Sequence, residues 1–249
     1  MIRTENTSVL VDIGIPLFYV EECLNKLGVS PQGIGAVLVT HEHGDHIGGV
    51  RAFSCKYGTP VYANAAAAGR IRRKLGVTTA RRLAEFHDND FDLGDITVQP
   101  FSLSHDVPCT GYSFLSGGEK VSMLTDAGEI EDALLRRIAD SDAVMIEANH
   151  DVDMLKASKK YPAVLKRRIL SSFGHLSNAD SGAAILKLAL GGVARRFILA
   201  HLSQENNYPE LALSAVMSAL SRHNIRVGHD VTLSVAEQYK IGATVCAGK

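Results

Sequence analysis

Short apolar runs alternate with helix-period segments along the whole chain. Ser8–Ile13 is a β-branched run that stops at Gly14. Pro16 opens a helical pattern to about Leu27 and Gly28 closes it, the expected order of proline and glycine about a helix. Ala36–Thr40 predicts a buried strand, Ile47–Tyr57 a helix, Val61–Ala63 a short strand and Ala65–Leu75 a basic helix. From Ile96 to Asp126 the period changes to two. Ile96–Leu103 alternates, and Thr110–Leu115 and Lys120–Thr125 flank Ser116-Gly117-Gly118-Glu119, a hairpin signal. Helix and strand then alternate again. Glu131–Ala139 is helical, Ala143–Ala148 a strand, and Asp151–Lys156 helical with a basic stretch through Arg168. Asn178 is positioned to cap a helix running to Leu190, which Gly191-Gly192 would close. Phe197–Ala200 is a strand, Pro209–Arg222 a helix and Val231–Val235 a last strand. This order predicts a layered α/β protein.

Composition narrows the picture. The 249 residues are 46% hydrophobic and 21% charged, without repeats or a low-complexity linker, which suits one large α/β domain or two small ones; a single domain over residues 1–249 is the expectation. Cys23, Cys55, Cys109 and Cys246 are scattered and form no CxxC pair, so they are expected to be reduced thiols in a reducing, cytoplasmic setting. The N-terminus has no charged-then-apolar leader pattern, and no apolar run approaches the roughly 20 residues that cross a bilayer. A net charge of −1 gives no global basic field, though it leaves room for a local basic groove.

The polar residues at strand ends carry the chemistry. Ala36-Val37-Leu38-Val39 leads directly into Thr40-His41-Glu42-His43-Gly44-Asp45-His46. Imidazole and carboxylate together suit zinc, manganese or iron, with no cysteine involved. Further candidates recur after predicted strands: His105 after Phe101–Ser104, Asp126 after Val121–Thr125, and His201 after Phe197–Ala200. In α/β folds such strand ends gather along the sheet edge where ligands bind.

The spacing His41-x-His43-x-Asp45-His46, followed in order by His105, Asp126 and His201, resembles the ligand motifs of the metallo-β-lactamase fold superfamily. Three longer strings are similar to its YycJ (WalJ) branch: Glu147-Ala148-Asn149-His150-Asp151, Gly174-His175-Leu176-Ser177-Asn178 and His201-Leu202-Ser203-Gln204-Glu205-Asn206-Asn207. The likeness spans nearly the whole chain. It implies the four-layer αββα metallo-β-lactamase fold and a phosphodiesterase-like enzyme acting on DNA as a 5′→3′ exonuclease. The site would be similar to those of tRNase Z and the cyclic phosphodiesterase PhnP. Branch members begin with a strand and a Ser/Gly-rich turn ahead of Ile2–Thr7; here the chain starts inside what should be the second strand, which puts the first strand in question.

The resemblance also implies roles. His41, His43 and His105 would hold one divalent ion, Asp45, His46 and His201 a second, and Asp126 both. Two such ions, Zn2+ or Mn2+, ~4 Å apart clamp the attacking and leaving oxygens of a phosphoryl transfer, with a metal-bridging hydroxide as nucleophile. Asp45, Glu147 and His175 are the implied catalytic residues, with His175 protonating the leaving group and Glu147 hydrogen-bonding its imidazole to keep it protonated. His175 and Asn206 are the implied substrate contacts. Several residues keep two readings. His150, Asp106 and Asp151 are either supports for ligands or structural residues, Asp151 as a helix cap. Asn207 is expected to cap the helix at Pro209. Tyr161 and Tyr208 are either base-stacking or half-buried. The basic stretches Arg70–Lys74 with Arg81-Arg82, and Lys156–Arg168, are either phosphate-tracking or solvated helix faces. A small-molecule phosphodiesterase, another ester or thioester hydrolase, and an inactive regulatory relative are the competing functions. The sequence does not choose the oligomeric state.

Overall fold

The computed structural model describes residues 1–247. The chain forms two compact units, Met1–Ser102 with Val107–Gly117, and Leu103–Asp106 with Gly118 onward. The first unit runs β1 (Ile2–Arg3), β2 (Ser8–Val11), α1 (Leu17–Lys26), β3 (Ala36–Val39), α2 (Gly44–Ile47), α3 (Val50–Tyr57), β4 (Val61–Asn64), α4 (Ala65–Ala80), β5 (Leu83–Phe86), β6 (Phe91–Leu93), β7 (Ile96–Leu103) and β8 (Cys109–Ser116). Strands β1 to β5 lie side by side in chain order, antiparallel at β1–β2 and parallel from β2 to β5. β3 is buried along its whole length, which is why its run is unbroken Ala-Val-Leu-Val. Its side chains alternate between two cores. Val37 and Val39 pack with Leu10, Phe53, Val61 and Ile71 beneath the helices. Ala36 and Leu38 pack with Val9, Ile96, Val98, Tyr112 and Phe114 on the other face.

The second unit runs β9 (Glu119–Leu124), α5 (Asp132–Ile138), β10 (Ala143–Glu147), α6 (Val152–Ala157), α7 (Ala163–Ile169), α8 (Asn178–Gly191), β11 (Arg196–Ala200), α9 (Pro209–Ser221) and β12 (Thr232–Val235). Its strands are parallel in the order β12-β11-β10-β9. The register sets Ile146 beside both Leu124 and Leu199, and Glu147 beside Ala200. The polar ends of β9, β10 and β11 therefore emerge at one edge. Gly117 (φ 60°) and Gly118 (φ 85°) take the left-handed conformations of the tight turn that links β8 to β9.

Most predicted elements appear within a residue or two of their expected bounds. β1, β5, β6 and α7 are additional. The helix expected from Ile47 is broken into α2 and α3 at Gly48-Gly49. Contact explains the break: a Cβ on Gly49 would lie 2.2 Å from the Ile15 carbonyl oxygen, and one on Gly14 1.5 Å from that of Asp45. These glycines let the loop after β2 press against the backbone that carries Asp45.

Two capping expectations change. Ser177 caps α8, its Oγ accepting from the Asp180 amide at 3.2 Å. Asn178 is buried and exchanges hydrogen bonds of 2.9 and 2.8 Å with Asn207. The Asn207 amide also donates to the Ala148 and Asn149 carbonyls, so it ties loops together rather than capping α9. Asp151 does cap α6, accepting from the Asp153 and Met154 amides. The four cysteines are free thiols. Among the described residues no helix is long and apolar enough to cross a membrane.

Candidate active site

In the first unit the histidine string leaves β3 and enters α2. His41 and His46 are buried, His43 is half-buried, and Asp45 stands in the first turn of α2 with its side chain 61% exposed. The rings of His41 and His43 meet edge-on at 4.5 Å, and those of His41 and His46 lie 4.2 Å apart. Asp12, which follows β2, organises the cluster. Its carboxylate accepts from the Thr40 amide at 2.9 Å and the Thr40 hydroxyl at 2.7 Å, and it pairs with His46 Nδ1 at 2.7 Å. Thr40 Oγ1 also lies 3.0 Å from His41 Nδ1. With Nδ1 engaged, the His41 and His46 rings each keep Nε2 as the remaining ligand atom.

In the second unit Glu147 plays the corresponding part. It ends β10 with no exposed surface. Oε1 is shared, 2.7 Å from His201 Nδ1 and 2.9 Å from His175 Nδ1. Oε2 accepts from the Ala127 and Leu176 amides at 3.0 and 3.2 Å. Burial pushes this carboxyl up, but the hydrogen bonds from the two histidines outweigh it and hold the group below the usual glutamate range. His175 moves the opposite way. Burial lowers it, yet the Glu147 hydrogen bond and the nearby charges of Glu147 and Asp126 leave it raised. Asp126, Glu147, His175 and His201 each offer a ligand atom within 4.8 Å of the others. Asp126 Oδ1 lies 3.6 Å from His175 Nδ1, 3.7 Å from His201 Nε2 and 3.9 Å from His105 Nε2. His105 is buried with Nδ1 3.2 Å from the Gly174 carbonyl oxygen, and burial lowers its pKa.

Residues 8–202 match the Beta-lactamase superfamily domain. The chain belongs to this superfamily. It is 36% identical over 233 residues to exodeoxyribonuclease WalJ of Streptococcus pneumoniae serotype 2, covering 92% of this chain and 86% of that one. It is 34% identical over 229 residues to exodeoxyribonuclease YycJ of Bacillus anthracis, covering 91% and 86%. The YycJ (WalJ) resemblance read from the three long motifs therefore holds. Among solved structures, the metallo-beta-lactamase fold protein YhfI of Bacillus subtilis superposes with a TM-score of 0.69, covering 94% of this chain and 87% of that one at 17% identity. That likeness shows the α/β metallo-β-lactamase fold. The protein is an enzyme, a hydrolase of this superfamily.

The superfamily implies divalent metal, and the donors present fit it. His41, His46, His105 and His201 each have Nδ1 within reach of a hydroxyl, carboxylate or carbonyl oxygen. That leaves Nε2 as the lone-pair atom, the usual arrangement of a ligating histidine. Backbone strain marks the same places. Asp12 (φ 54°), Asp126 (φ 63°) and His201 (φ 57°) are left-handed, each just beyond a strand. Such conformations cost about 1–3 kcal/mol apiece and persist where surrounding contacts over-determine them. The Asn149 amide holds one of them by donating to the His201 carbonyl at 2.9 Å.

The other candidates sort as follows. Asp106 pairs with Arg168 at 2.8 Å and lies 3.3 Å from His105 Nε2. His150 and Asn206 are each 1% exposed, and their side chains have no hydrogen-bond partner among the described residues. Burial holds the His150 imidazole below its usual pKa. Their segments meet where the Asp151 amide donates to the Asn206 carbonyl at 2.9 Å. Tyr208 is 48% exposed and Tyr161 half-buried.

Asp12 is the residue of this candidate site that the sequence reading missed. It obeys the strand-end rule that found the others, but Ile13 masked it by prolonging the apolar run. Asp12→Asn is expected to weaken metal binding about 10–100-fold, because an amide cannot accept from all three donors. Metal content after dialysis against a graded chelator measures this.

Proposed function

We propose that the protein is a divalent-metal-dependent phosphodiesterase that degrades DNA as a 5′→3′ exonuclease, with residues 1–249 working as a single hydrolase domain. The observation that carries this reading is the shared Glu147 oxygen, which binds a candidate ligand, His201, and a separate histidine, His175. An acid held beside a metal site serves a reaction whose leaving group needs a proton, and a sugar alkoxide is such a group. The likeness to exodeoxyribonucleases WalJ and YycJ supports DNA as the substrate. A cytoplasmic location fits that substrate and the free thiols.

His41, His43, Asp45 and His46 in one unit, and His105, Asp126 and His201 in the other, are assigned as ligands on the superfamily pattern. Two Zn2+ or Mn2+ ions held by them would supply Lewis-acid activation of water and of the phosphate. The chain's own groups do the rest. Asp12 and Glu147 fix ring orientation. His175, with Nδ1 on Glu147, keeps Nε2 for the departing oxygen. Asn206 is assigned to substrate, since a buried amide without a protein partner costs about 1–3 kcal/mol and is satisfied by a ligand.

The test is His175→Ala against two substrates. General acid catalysis contributes roughly 10²–10⁴-fold, so DNA cleavage is expected to fall by that factor while metal content stays unchanged. Hydrolysis of an activated nitrophenyl phosphodiester, which needs no proton, is expected to fall far less. An equal fall on both substrates contradicts the assignment of His175 as the acid.

A further inference from the structure

Helix α4 is fastened to the histidine string, and its charge is all of one sign. Ala67, Ala68, Ile71 and Leu75 bury one face in the first unit's core. The other positions carry Arg70, Arg72, Arg73 and Lys74, with no acidic residue between Ala65 and Ala80. Solvated helix faces ordinarily mix signs at i,i+4 spacing, whereas Arg70, Arg73 and Lys74 stand one turn apart as like charges. One of these cations is used structurally: Arg72 pairs with Glu85 at 2.8 Å and donates to the Leu83 carbonyl.

The opposite flank reaches the metal-binding loop. Lys74 Nζ donates to the Glu42 carbonyl at 2.7 Å, and Arg70 Nη1 lies 3.4 Å from Glu42 Oε1. Glu42 stands between His41 and His43. Regular helix ends at Gly76 (φ 74°, ψ 169°), and a Cβ there would lie 3.6 Å from the Arg51 guanidinium of α3. Arg51 and Arg73 are exposed and have no ion-pair partner among the described residues. Two cations of α4 thus reach Glu42 beside the His41–His43 loop, Arg73 stands on the same helix and Arg51 beside its end at Gly76, in a chain whose net charge is −1.

We propose that Arg51, Arg70, Arg73 and Lys74 form a strip that binds the phosphate backbone of duplex DNA beyond the phosphate being cleaved. Charge complementarity identifies the ligand, since repeated phosphates are the partner for a one-signed strip next to a phosphodiesterase loop. The unpaired Arg51 and Arg73 supply contacts that cost no existing ion pair. Arg70 and Lys74 hold the strip against the loop. This inference rests on the DNA reading above.

The experiment is the affinity of a fluorescent blunt duplex with cleavage-resistant phosphorothioate ends for the metal-loaded protein, measured from about 50 to 200 mM KCl, the range where counterion release is steep. Each lost phosphate contact lowers the slope of log Kd against log salt by about 0.9. R51Q/R73Q is therefore expected to lower the slope by roughly 1.8 and to weaken binding most at low salt. R72Q, which removes a cation already used by Glu85, is expected to keep the wild-type slope. Thermal melting and metal content report whether either variant has disturbed the fold or the loop. A wild-type slope in R51Q/R73Q, with duplex binding intact, overturns the strip alone. A fall in slope shared equally by R72Q overturns it as well, since a general charge effect then suffices. Absence of duplex binding by the wild-type protein overturns both the strip and the DNA reading.

Discussion

Replacing Glu147 by Gln is expected to destabilise the protein by about 3 kcal/mol, a fall of roughly 6–12 °C in Tm for a chain of this size. The carboxylate is fully buried and meets four donors, two imidazoles and two backbone amides. Glutamine keeps the shape but replaces one acceptor oxygen with an NH2 group, which faces donors whichever way the amide is turned. If Oε1 is lost, His175 and His201 are released together; if Oε2 is lost, the amides of Ala127 and Leu176 are stranded. Metal affinity is expected to fall about 10–100-fold, because His201 loses the partner that fixes its tautomer. Thermal denaturation by circular dichroism and metal analysis of the same sample measure both effects. A variant that melts with the wild type and keeps its full metal content would show that the histidines are held by something other than Glu147.

Asp126→Ala is expected to remove at least one metal equivalent and to slow hydrolysis about 10³-fold, as loss of several kcal/mol of charge stabilisation requires. Asp126 is 1% exposed, and one of its oxygens lies within 3.6–3.9 Å of three histidine nitrogens. Glu147 cannot move into that position cheaply, since it is committed to its four donors, and Asp106 beside His105 is paired with Arg168. The left-handed backbone at Asp126 also disfavours alanine, so Asp126→Asn is the companion variant. It keeps the side-chain shape and removes the charge. Two tightly bound metals per chain in either variant would exclude Asp126 as a shared ligand.

Much of the candidate site is legible in the sequence because buried parallel strands are short apolar runs, and a polar residue directly after one stands out. His41, His105, Asp126 and His201 are candidates on that ground, and each lies just beyond its strand. The rule failed at Asp12 because Ile13 extends the apolar run past the true end of β2 at Val11. It was also silent on which residues meet. The Glu147–His201 contact follows from the register that sets Glu147 beside Ala200, and nothing in a linear pattern encodes that pairing. The Asn178–Asn207 exchange was hidden for a similar reason, since both residues stand where a cap is the local expectation. β5 escaped because Leu-Ala-Glu-Phe has no β-branched residue; its pairing with β4 makes it a strand. Placement showed what motif strings could not for the basic helix as well. Arg72 and Arg73 are adjacent in sequence, yet one is bound to Glu85 and the other is exposed, with no ion-pair partner among the described residues.

The proposed cutting of DNA from 5′ ends with divalent metal is decided by incubating the full chain with duplex DNA labelled at one 5′ end, with Zn2+ or Mn2+, with chelator, and with Asp126→Asn as control. The labelled 5′ nucleotide is expected to be released early with metal, and not at all with chelator or in the variant. Metal-loaded wild-type protein that leaves the duplex intact, while hydrolysing a small phosphodiester, would rule out DNA as the substrate.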